Sequence, residues 1–207
     1  MISKAFFNLF WIIAKLLLLI FLRVEIETEV DLKKLRGPLI IASNHVSAAD
    51  PFLIGASFSF GAKIFPIRYA ILDKIYYFLP VLLLLWCLGS FPVKRKIGLD
   101  KALKTPIKIL NKGGVVGIFP HGGREWKIGA LKPKRGVAYL ALKTGVKILP
   151  IRITIPVKKM GLMKGLLKRY KIKIKIGKPF YLPSKIIKEV EDYNQPANYV
   201  INRIRQL

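Results

Sequence analysis

The chain has 207 residues, of which 53% are hydrophobic, and a mean hydropathy of +0.39. This length suits one domain with a sizeable core, and the hydropathy leaves apolar surface for contact with a membrane. The 37 Lys and Arg against 11 Asp and Glu give a formal charge of +26, which indicates anionic partners. The sequence carries no RNA-binding signature, so we expect anionic membrane lipids as partners and no nucleic acid.

The first predicted element is an apolar helix over residues 5–22. Its length of about 27 Å falls just short of a hydrocarbon core of about 30 Å. A narrow polar and interfacial stripe runs along one side of this helix and is formed by Lys4, Asn8, Trp11 and Lys15. The stripe favours a helix that lies in the interface over one that spans the bilayer, and both remain open.

This helix sets the predicted domain organisation. We divide the chain into a membrane-anchoring helix at 1–23 and a single catalytic or binding domain at 24–207. The expected location is the cytoplasmic face of the cell membrane, as a monotopic or single-span protein.

A strand-to-helix turn follows in the sequence. Residues 38–42 predict a short buried strand, and Asp50-Pro51 predicts a helix with Asp50 as its N-cap. His45 lies on the loop between them. On a continuous helix His45 and Asp50 would be about 140° apart, but across a turn they can meet. The pair is then typical of a catalytic base and the carboxylate that orients it, and the alternative is an Asp that merely caps a helix.

A second cluster follows the next glycine-rich turn. Residues 113–120 predict a helix C-cap and a buried strand, which ends in His121-Gly122-Gly123-Arg124. Glycines in such a turn let backbone N–H groups approach an anion, and arginine offers a planar fork for phosphate. A strand before this cluster ends in basic residues 94–96, and another basic run, 132–135, precedes a helix.

The remaining elements alternate between the helical and strand patterns. Helices are predicted at 75–88, 99–112, 135–144 and 158–169, with Pro106 expected to kink the second or mark a late start. Strands are predicted at 147–155 and 170–176, and the tail at 184–207 as two short helices interrupted by Pro196. The lysines of strand 170–176 would protect a sheet edge or meet lipid headgroups. The 75–88 helix would be a core helix, a wall of an acyl-chain channel, or both.

Four blocks carry a resemblance to a known family: the His45–Asp50 loop, the strand end at 94–96, the turn at 121–124 and the basic run at 132–135. In this order they resemble the signature of the glycerolipid acyltransferase family, which includes the 1-acylglycerol-3-phosphate acyltransferases. The resemblance covers residues 38–155. His45 and Asp50 match the family's His-x4-Asp dyad, and Arg95 matches the arginine that closes its second block. The alternation of strands and helices predicts an α/β fold, a single-domain mixed sheet flanked by helices, with an N-terminal membrane-associated helix.

The third block departs from the family at two positions. Gly122 and Arg124 match the family's Phe-Pro-Glu-Gly-Thr-Arg block, but His121 replaces its glutamate and Gly123 its threonine. Lys134 fits the basic element that follows. In the family the third block helps to hold the phosphorylated acceptor, so the two departures leave the identity of the acceptor open.

The resemblance implies an O-acyltransferase of phospholipid biosynthesis. The acyl group would move from acyl-CoA or acyl carrier protein to a hydroxyl of a lysophospholipid such as 1-acylglycerol-3-phosphate, with His45 as general base and Asp50 stabilising its imidazolium. The residues predicted to bind substrate are Asn44, Arg95, His121, Gly122, Gly123, Arg124 and Lys134. The alternatives are an acyltransferase for a different polar lipid, or a catalytically altered lipid-binding protein of the same fold.

Other chemistries find less support in the sequence. His45, Asp50 and His121 could in principle hold a metal, but there is no His-Glu-x-x-His and no cysteine pair, so no metal or cofactor is expected. A serine acyl-enzyme would require Gly-x-Ser-x-Gly, and the run around Ser57 lacks the final glycine.

Overall fold

A computed structural model of the chain describes residues 12, 13, 16, 23–58, 62–72, 89–94, 97–124, 132–155, 171–183 and 192–207. Within these ranges the chain forms a seven-stranded mixed sheet with helices packed against both faces. The predicted α/β class and the single-domain mixed sheet are therefore confirmed.

The sheet places the carboxyl ends of five strands on one edge. The strands are β1 (Arg23–Thr28), β2 (Leu39–Ser43), β3 (Ile67–Leu72), β4 (Phe91–Val93), β5 (Val115–Ile118), β6 (Ile148–Thr154) and β7 (Lys171–Ile176). They lie in the order β1-β7-β6-β2-β5-β3-β4. The strands from β6 to β4 are mutually parallel, whereas β7 is antiparallel to β6 and parallel to β1. The loops that follow β2, β3, β4, β5 and β6 therefore leave from the same edge, here called the C-terminal edge.

Four helices are described over their whole length, and two of them bear on the predictions made for prolines. They are α1 (Asp50–Ala56), α2 (Leu99–Asn111), α3 (Gly136–Thr144) and α4 (Asn194–Arg205). Helix α2 begins at Leu99 and continues past Pro106, so this proline does not mark a late start. In α4, Pro196 lies in the first turn, where the N–H that proline lacks has no partner to lose, so the predicted interruption is wrong.

The core has two layers because successive side chains of a strand point to opposite faces. Leu39 and Ile41 of β2 pack with Leu53 and Ile54 of α1 on one face of the sheet. The next residues in β2, Ile40 and Ala42, pack on the opposite face with residues of α2, α3 and α4. Helix α1, which begins at the predicted dyad, is thus fixed by a fully buried contact with the sheet.

Strand β7 alternates as predicted but lies elsewhere in the sheet. Its isoleucines at 172, 174 and 176 are buried, while the lysines between them face outward. The strand lies between β1 and β6, so the predicted edge position is wrong and β1 is the edge. The lysines form ion pairs with the neighbouring strand, Lys171 with Glu25, and Lys173 and Lys175 with Glu27. Contact with lipid headgroups stays a prediction.

Three predicted segments lie largely or wholly outside the described residues. They are the N-terminal helix, the 75–88 helix and the basic 158–169 helix. Of the first, Ile12, Ile13 and Leu16 are described; they have helical backbone, and each is more than one third exposed. The proposed division after residue 23 stays a prediction, and β1 begins at that residue. Each helix in the described ranges is too short or too polar to cross a bilayer.

Candidate active site

The loop after β2 brings His45 and Asp50 together. Nδ1 of His45 lies 2.7 Å from Oδ2 of Asp50, so the predicted contact is present. The predicted N-cap is wrong, because Ala49 is the N-cap and Asp50 is already helical. The carboxylate turns back towards the loop instead of capping its own helix, because the imidazole and two loop amides occupy it.

The carboxylate of Asp50 organises the whole turn. Its Oδ2 also accepts hydrogen bonds from the backbone N–H groups of Val46, at 2.7 Å, and Ser47, at 2.9 Å. Asp50 is fully buried, whereas the His45 side chain is 21% exposed. One oxygen thus holds the imidazole and the loop in a fixed relation, and the imidazole keeps an open path to substrate. This arrangement can orient a general base.

The serines near the dyad have structural contacts. Ser47 accepts a hydrogen bond on Oγ from the N–H of Ala49, at 3.2 Å, which supports the turn. Ser57 is buried after α1 and donates from Oγ to the carbonyl of Leu53, at 2.8 Å. Neither contact resembles a serine nucleophile activated by a base.

Asn44 ties the loop to the neighbouring strand. Its amide donates from Nδ2 to the carbonyl of Ile153 and accepts on Oδ1 from the N–H of the same residue, both at 2.8 Å. The side chain thereby continues the pairing of β2 with β6 past Ser43, where the backbone ladder ends. Asn44 therefore fixes the start of the His45 loop, and the substrate contact predicted for it stays a prediction.

Two aromatic residues that the sequence analysis missed form a stack with the imidazole. The ring of Phe119 stacks on His45 with centroids 4.1 Å apart and planes at 15°, and Tyr69 stacks on Phe119 at 5.8 Å and 16°. Gly117 makes room for this stack. It pairs with Tyr69 across β5 and β3, and a Cβ at Gly117 would come within 2.2 Å of the Tyr69 ring. A glycine inside the β-branched run of β5 was the one sequence signal for this close approach.

The hydroxyl of Tyr69 stays protonated. Burial raises the pKa of Tyr69 far above its ordinary value of 10.0, and the negative charge of Asp50 raises it further. The group is therefore a hydrogen-bond donor at every physiological pH, and its interaction with Asp50 places it in the electrostatic surroundings of the dyad.

The turn after β5 is the second half of the site. Phe119, whose ring touches His45, accepts on its carbonyl from the N–H of Gly122, at 2.9 Å, in a turn that needs the φ of +64° at Gly122. The N–H of Lys134 donates to the carbonyl of Pro120, at 2.7 Å. The stem of Lys134 then lies beside Gly122, where a Cβ would be 3.2 Å from its Cγ. The structure thus brings Gly122 and Lys134 together next to the dyad.

The other predicted binding residues are placed differently. Arg124 is exposed in the same turn, Gly123 is half-buried, and His121 is 4% exposed, so its imidazole lies inside the protein. Arg95 lies outside the described residues, as the last described residue of its block is Lys94. Strand β4 stands three strand positions from β2, about 14 Å at ordinary strand spacing. Among the described residues no group of three or more His, Cys, Asp or Glu could hold a metal ion.

The fold and the dyad together define a class of protein. The sequence model of the family named Acyltransferase matches residues 23–154 of this chain, from the start of β1 to the end of β6. The chain therefore belongs to the Acyltransferase family. The match includes the loop after β2, the turn after β5 and the strand that Asn44 contacts.

Two bacterial enzymes with the same name are similar in sequence to this chain. The chain is 34% identical over 126 residues to the 1-acyl-sn-glycerol-3-phosphate acyltransferase of Bacillus subtilis, an alignment that covers 57% of this chain and 60% of that one. It is 30% identical over 118 residues to the enzyme of the same name from Streptococcus pneumoniae, covering 56% and 40%. The matched part thus spans less than two thirds of the length of either relative.

A solved structure shares the fold. The crystal structure of the 1-acyl-sn-glycerophosphate acyltransferase PlsC from Thermotoga maritima aligns with a TM-score of 0.65 and 22% identity, over 97% of this chain and 76% of that one. At this identity the likeness concerns the architecture, and it supports the single α/β domain described above.

Proposed function

We propose that the protein is an O-acyltransferase that moves a fatty acyl group from acyl-CoA or acyl carrier protein to the free hydroxyl of a lysophospholipid such as 1-acylglycerol-3-phosphate. The observation that carries the proposal is the 2.7 Å contact between Nδ1 of His45 and Oδ2 of the buried Asp50, inside a domain of the Acyltransferase family. The names of the two bacterial relatives support the acceptor.

The dyad suits direct transfer without an acyl-enzyme. With Nδ1 donating to Asp50, the lone pair of the neutral imidazole lies on Nε2, which accepts the proton of the acceptor hydroxyl. The oxygen attacks the thioester carbonyl carbon and forms a tetrahedral intermediate. Its collapse breaks the carbon–sulfur bond, and the departing thiolate takes the proton back from the imidazolium. Asp50 stabilises that imidazolium while it exists.

The acceptor phosphate would bind at the turn after β5. Arg124 and Lys134 are exposed cations on segments joined through Gly122 and Pro120, and Phe119 links this turn to His45. Charge-assisted hydrogen bonds from such groups are the usual means of holding phosphate. In this proposal Gly122 and Gly123 allow a close approach to the backbone, Arg95 adds a further cation, and His121 is buried within the turn. No cofactor takes part, because the thioester is itself a substrate.

The membrane would supply the acceptor, and we propose peripheral or monotopic association. The net charge of +26 favours an anionic lipid surface, where each nearby Lys or Arg contributes about 1 kcal/mol. The exposed apolar side chains of Ile12, Ile13 and Leu16 are consistent with an N-terminal helix that inserts into the interface.

The test measures transfer from labelled acyl-CoA or labelled acyl carrier protein to 1-acylglycerol-3-phosphate in mixed vesicles. The purified full chain is compared with His45→Ala and Asp50→Ala, and we expect each substitution to lower the rate by about 10² to 10⁴. Asp31→Ala is the matched control, because Asp31 is an exposed carboxylate after β1, which runs opposite to β2 and so ends away from the C-terminal edge.

The outcomes separate the candidates. Transfer that neither substitution impairs would exclude the dyad mechanism. Transfer to other polar lipid hydroxyls but not to 1-acylglycerol-3-phosphate would keep the chemistry and change the acceptor. Binding of lysophospholipids without turnover, across acyl-CoA and acyl carrier protein donors, would favour the lipid-binding alternative.

A further inference from the structure

Two buried polar atoms lie in the surroundings of the dyad without a described partner. Among the described residues, neither the hydroxyl of Tyr69 nor Oδ1 of Asp50 has a hydrogen bond, although Oδ2 of the same carboxylate has three. Tyr69 is 1% exposed and Asp50 is 0% exposed, so bulk water does not reach either group. Because buried polar atoms in native proteins are nearly always paired, each of them calls for a partner.

The two groups belong to one connected set of contacts. The Phe119 ring lies nearly parallel to both the His45 and Tyr69 rings, and His45 is bonded to Asp50. Burial raises the pKa of Tyr69, and the negative charge of Asp50 raises it further. A protonated phenol is a donor and a carboxylate oxygen is an acceptor, so the two orphan atoms are chemically complementary.

We propose that Tyr69 is a positioning residue for the dyad: its hydroxyl donates to one buried water that in turn donates to Oδ1 of Asp50, and its ring supports Phe119 against His45. The inference rests on the proposed function, because it assigns a further residue to the same site. With this water-mediated bond both carboxylate oxygens are engaged, Oδ2 by the loop and Oδ1 from β3. The plane of the carboxylate is then fixed, and the imidazole that it holds is fixed with it.

The first test removes only the hydroxyl. In Tyr69→Phe we expect kcat to fall about 2- to 10-fold, as for loss of one ordinary hydrogen bond. KM should stay unchanged for both donor and acceptor, because Tyr69 is buried and touches neither. The melting temperature should fall, since a buried carboxylate oxygen loses its partner. If the tyrosine hydroxyl had no partner in solution, its removal would leave the melting temperature equal or higher.

A matched control separates this role from general packing. Tyr139 is also buried, and its hydroxyl bonds to Asp100, on the sheet face opposite to α1. Tyr139→Phe should alter the melting temperature while leaving kcat at the parent value. A fall in kcat of the same size in both variants would reduce the Tyr69 effect to loosened packing and overturn the proposal.

A spectroscopic measurement makes the proposal independent of activity. The proton shared between Nδ1 of His45 and Asp50 is expected far downfield in the proton NMR spectrum, and its absence in His45→Ala assigns it. Tyr69→Phe should shift this signal, because charge moves from Oδ1 to Oδ2, whereas Tyr139→Phe should not. An unmoved signal in Tyr69→Phe overturns the inference even if transfer is measured, and a shifted signal supports it even if no acceptor is turned over.

Discussion

The loop after β2 and the turn after β5 leave the same edge of the sheet, yet they are built by opposite means. In the first, side chains do the fixing: the Asp50 carboxylate and the Asn44 amide bind backbone groups and the imidazole, and Asp50 is wholly buried. In the second, backbone hydrogen bonds shape the turn, and Arg124 and Lys134 are exposed residues. A base must stand in one place, because a misplacement of about 1 Å can cost about 10²-fold in rate. The cations proposed to hold the phosphate need no such fixed position.

Outside the dyad itself, the largest effect is expected at Asn44, which anchors the first region. Asn44→Ala leaves the N–H and carbonyl of Ile153 without their side-chain partner and releases the start of the His45 loop. We expect a loss of transfer rate of about 10²-fold from misplacement of the base. Steady-state kinetics measure it, with Asn198→Ala as control, since the side chain of that exposed asparagine donates to the carbonyl of Asn194 within α4. Parent activity in Asn44→Ala would show that the loop is held by other contacts.

The next effect concerns the space beneath the aromatic stack. In Gly117→Ala the new methyl would lie 2.2 Å from the Tyr69 ring, so the ring must move. We expect the free energy of unfolding to fall by about 1 to 3 kcal/mol, as in other overpacked cores, and kcat to fall with it. Denaturant unfolding provides the measurement. Gly136→Ala is the control for stability, because its Cβ would meet the nearest side chains at 3.7 Å or more. Equal stability of the parent and Gly117→Ala would contradict the close approach.

A smaller effect is expected in the second region. Arg124→Ala and Lys134→Ala each remove an exposed cation of the turn after β5 and its bonded segment, so KM for the acceptor should rise about tenfold, the loss of one charged hydrogen bond, while kcat changes little. Lys33→Ala, an exposed lysine after the end of β1, controls for the general loss of positive charge. An unchanged KM would exclude phosphate binding at this turn, and a fall in kcat instead would mean that the turn also shapes the dyad.

The smallest effect lies far from the site, on the paired charges of β1 and β7. The hydrogen bond with Lys173 lowers the pKa of Glu27 and raises the pKa of Lys173. The Glu27 carboxylate therefore stabilises the fold at pH values above its unfolded pKa near 4.5. That stabilisation is lost as the pH falls through the lowered pKa of the folded state. The ammonium stabilises it below about 10.5, and this is lost as pH rises through the raised value.

Substituting Glu27→Gln should flatten the pH dependence of stability at both ends of this window. Melting temperatures across pH measure the change, which we expect to be slight, because both side chains are well exposed and screened. Glu29→Gln is the control, since that side chain accepts a hydrogen bond from the backbone N–H of Lys178. Identical profiles for the parent and Glu27→Gln would show that the ion pair contributes nothing to stability.

The features that could be predicted from the sequence depend on contacts between residues close together in the chain. The strand, turn and helix around His45 depend on a short apolar run and on Pro51, all within a few residues, and the dyad contact followed from them. The N-cap of α1 was wrong for a local reason: the carboxylate that could have capped the helix is used by the loop before it.

The contacts that were missed are distant in the chain. Asn44 finds its partner 109 residues away, and the Tyr69–Phe119 stack joins β3 to the end of β5, so neither follows from periodicity. The predicted edge position of β7 was wrong for the same reason. The alternating pattern of a strand predicts which of its faces is buried. It does not predict which strands lie on either side of it in the sheet.

The bond between Asn44 and Ile153 also bears on how the protein is made. Strand β2 and the dyad lie early in the chain, but the strand that holds them in place, β6, is synthesised about a hundred residues later. A nascent chain that has not yet reached Thr154 has His45 and Asp50 but lacks the backbone groups of Ile153 to which Asn44 hydrogen-bonds. The His45 loop should therefore be fixed in place only late in translation, once β6 has been made. In a fragment that stops before β6, the loop should stay unanchored.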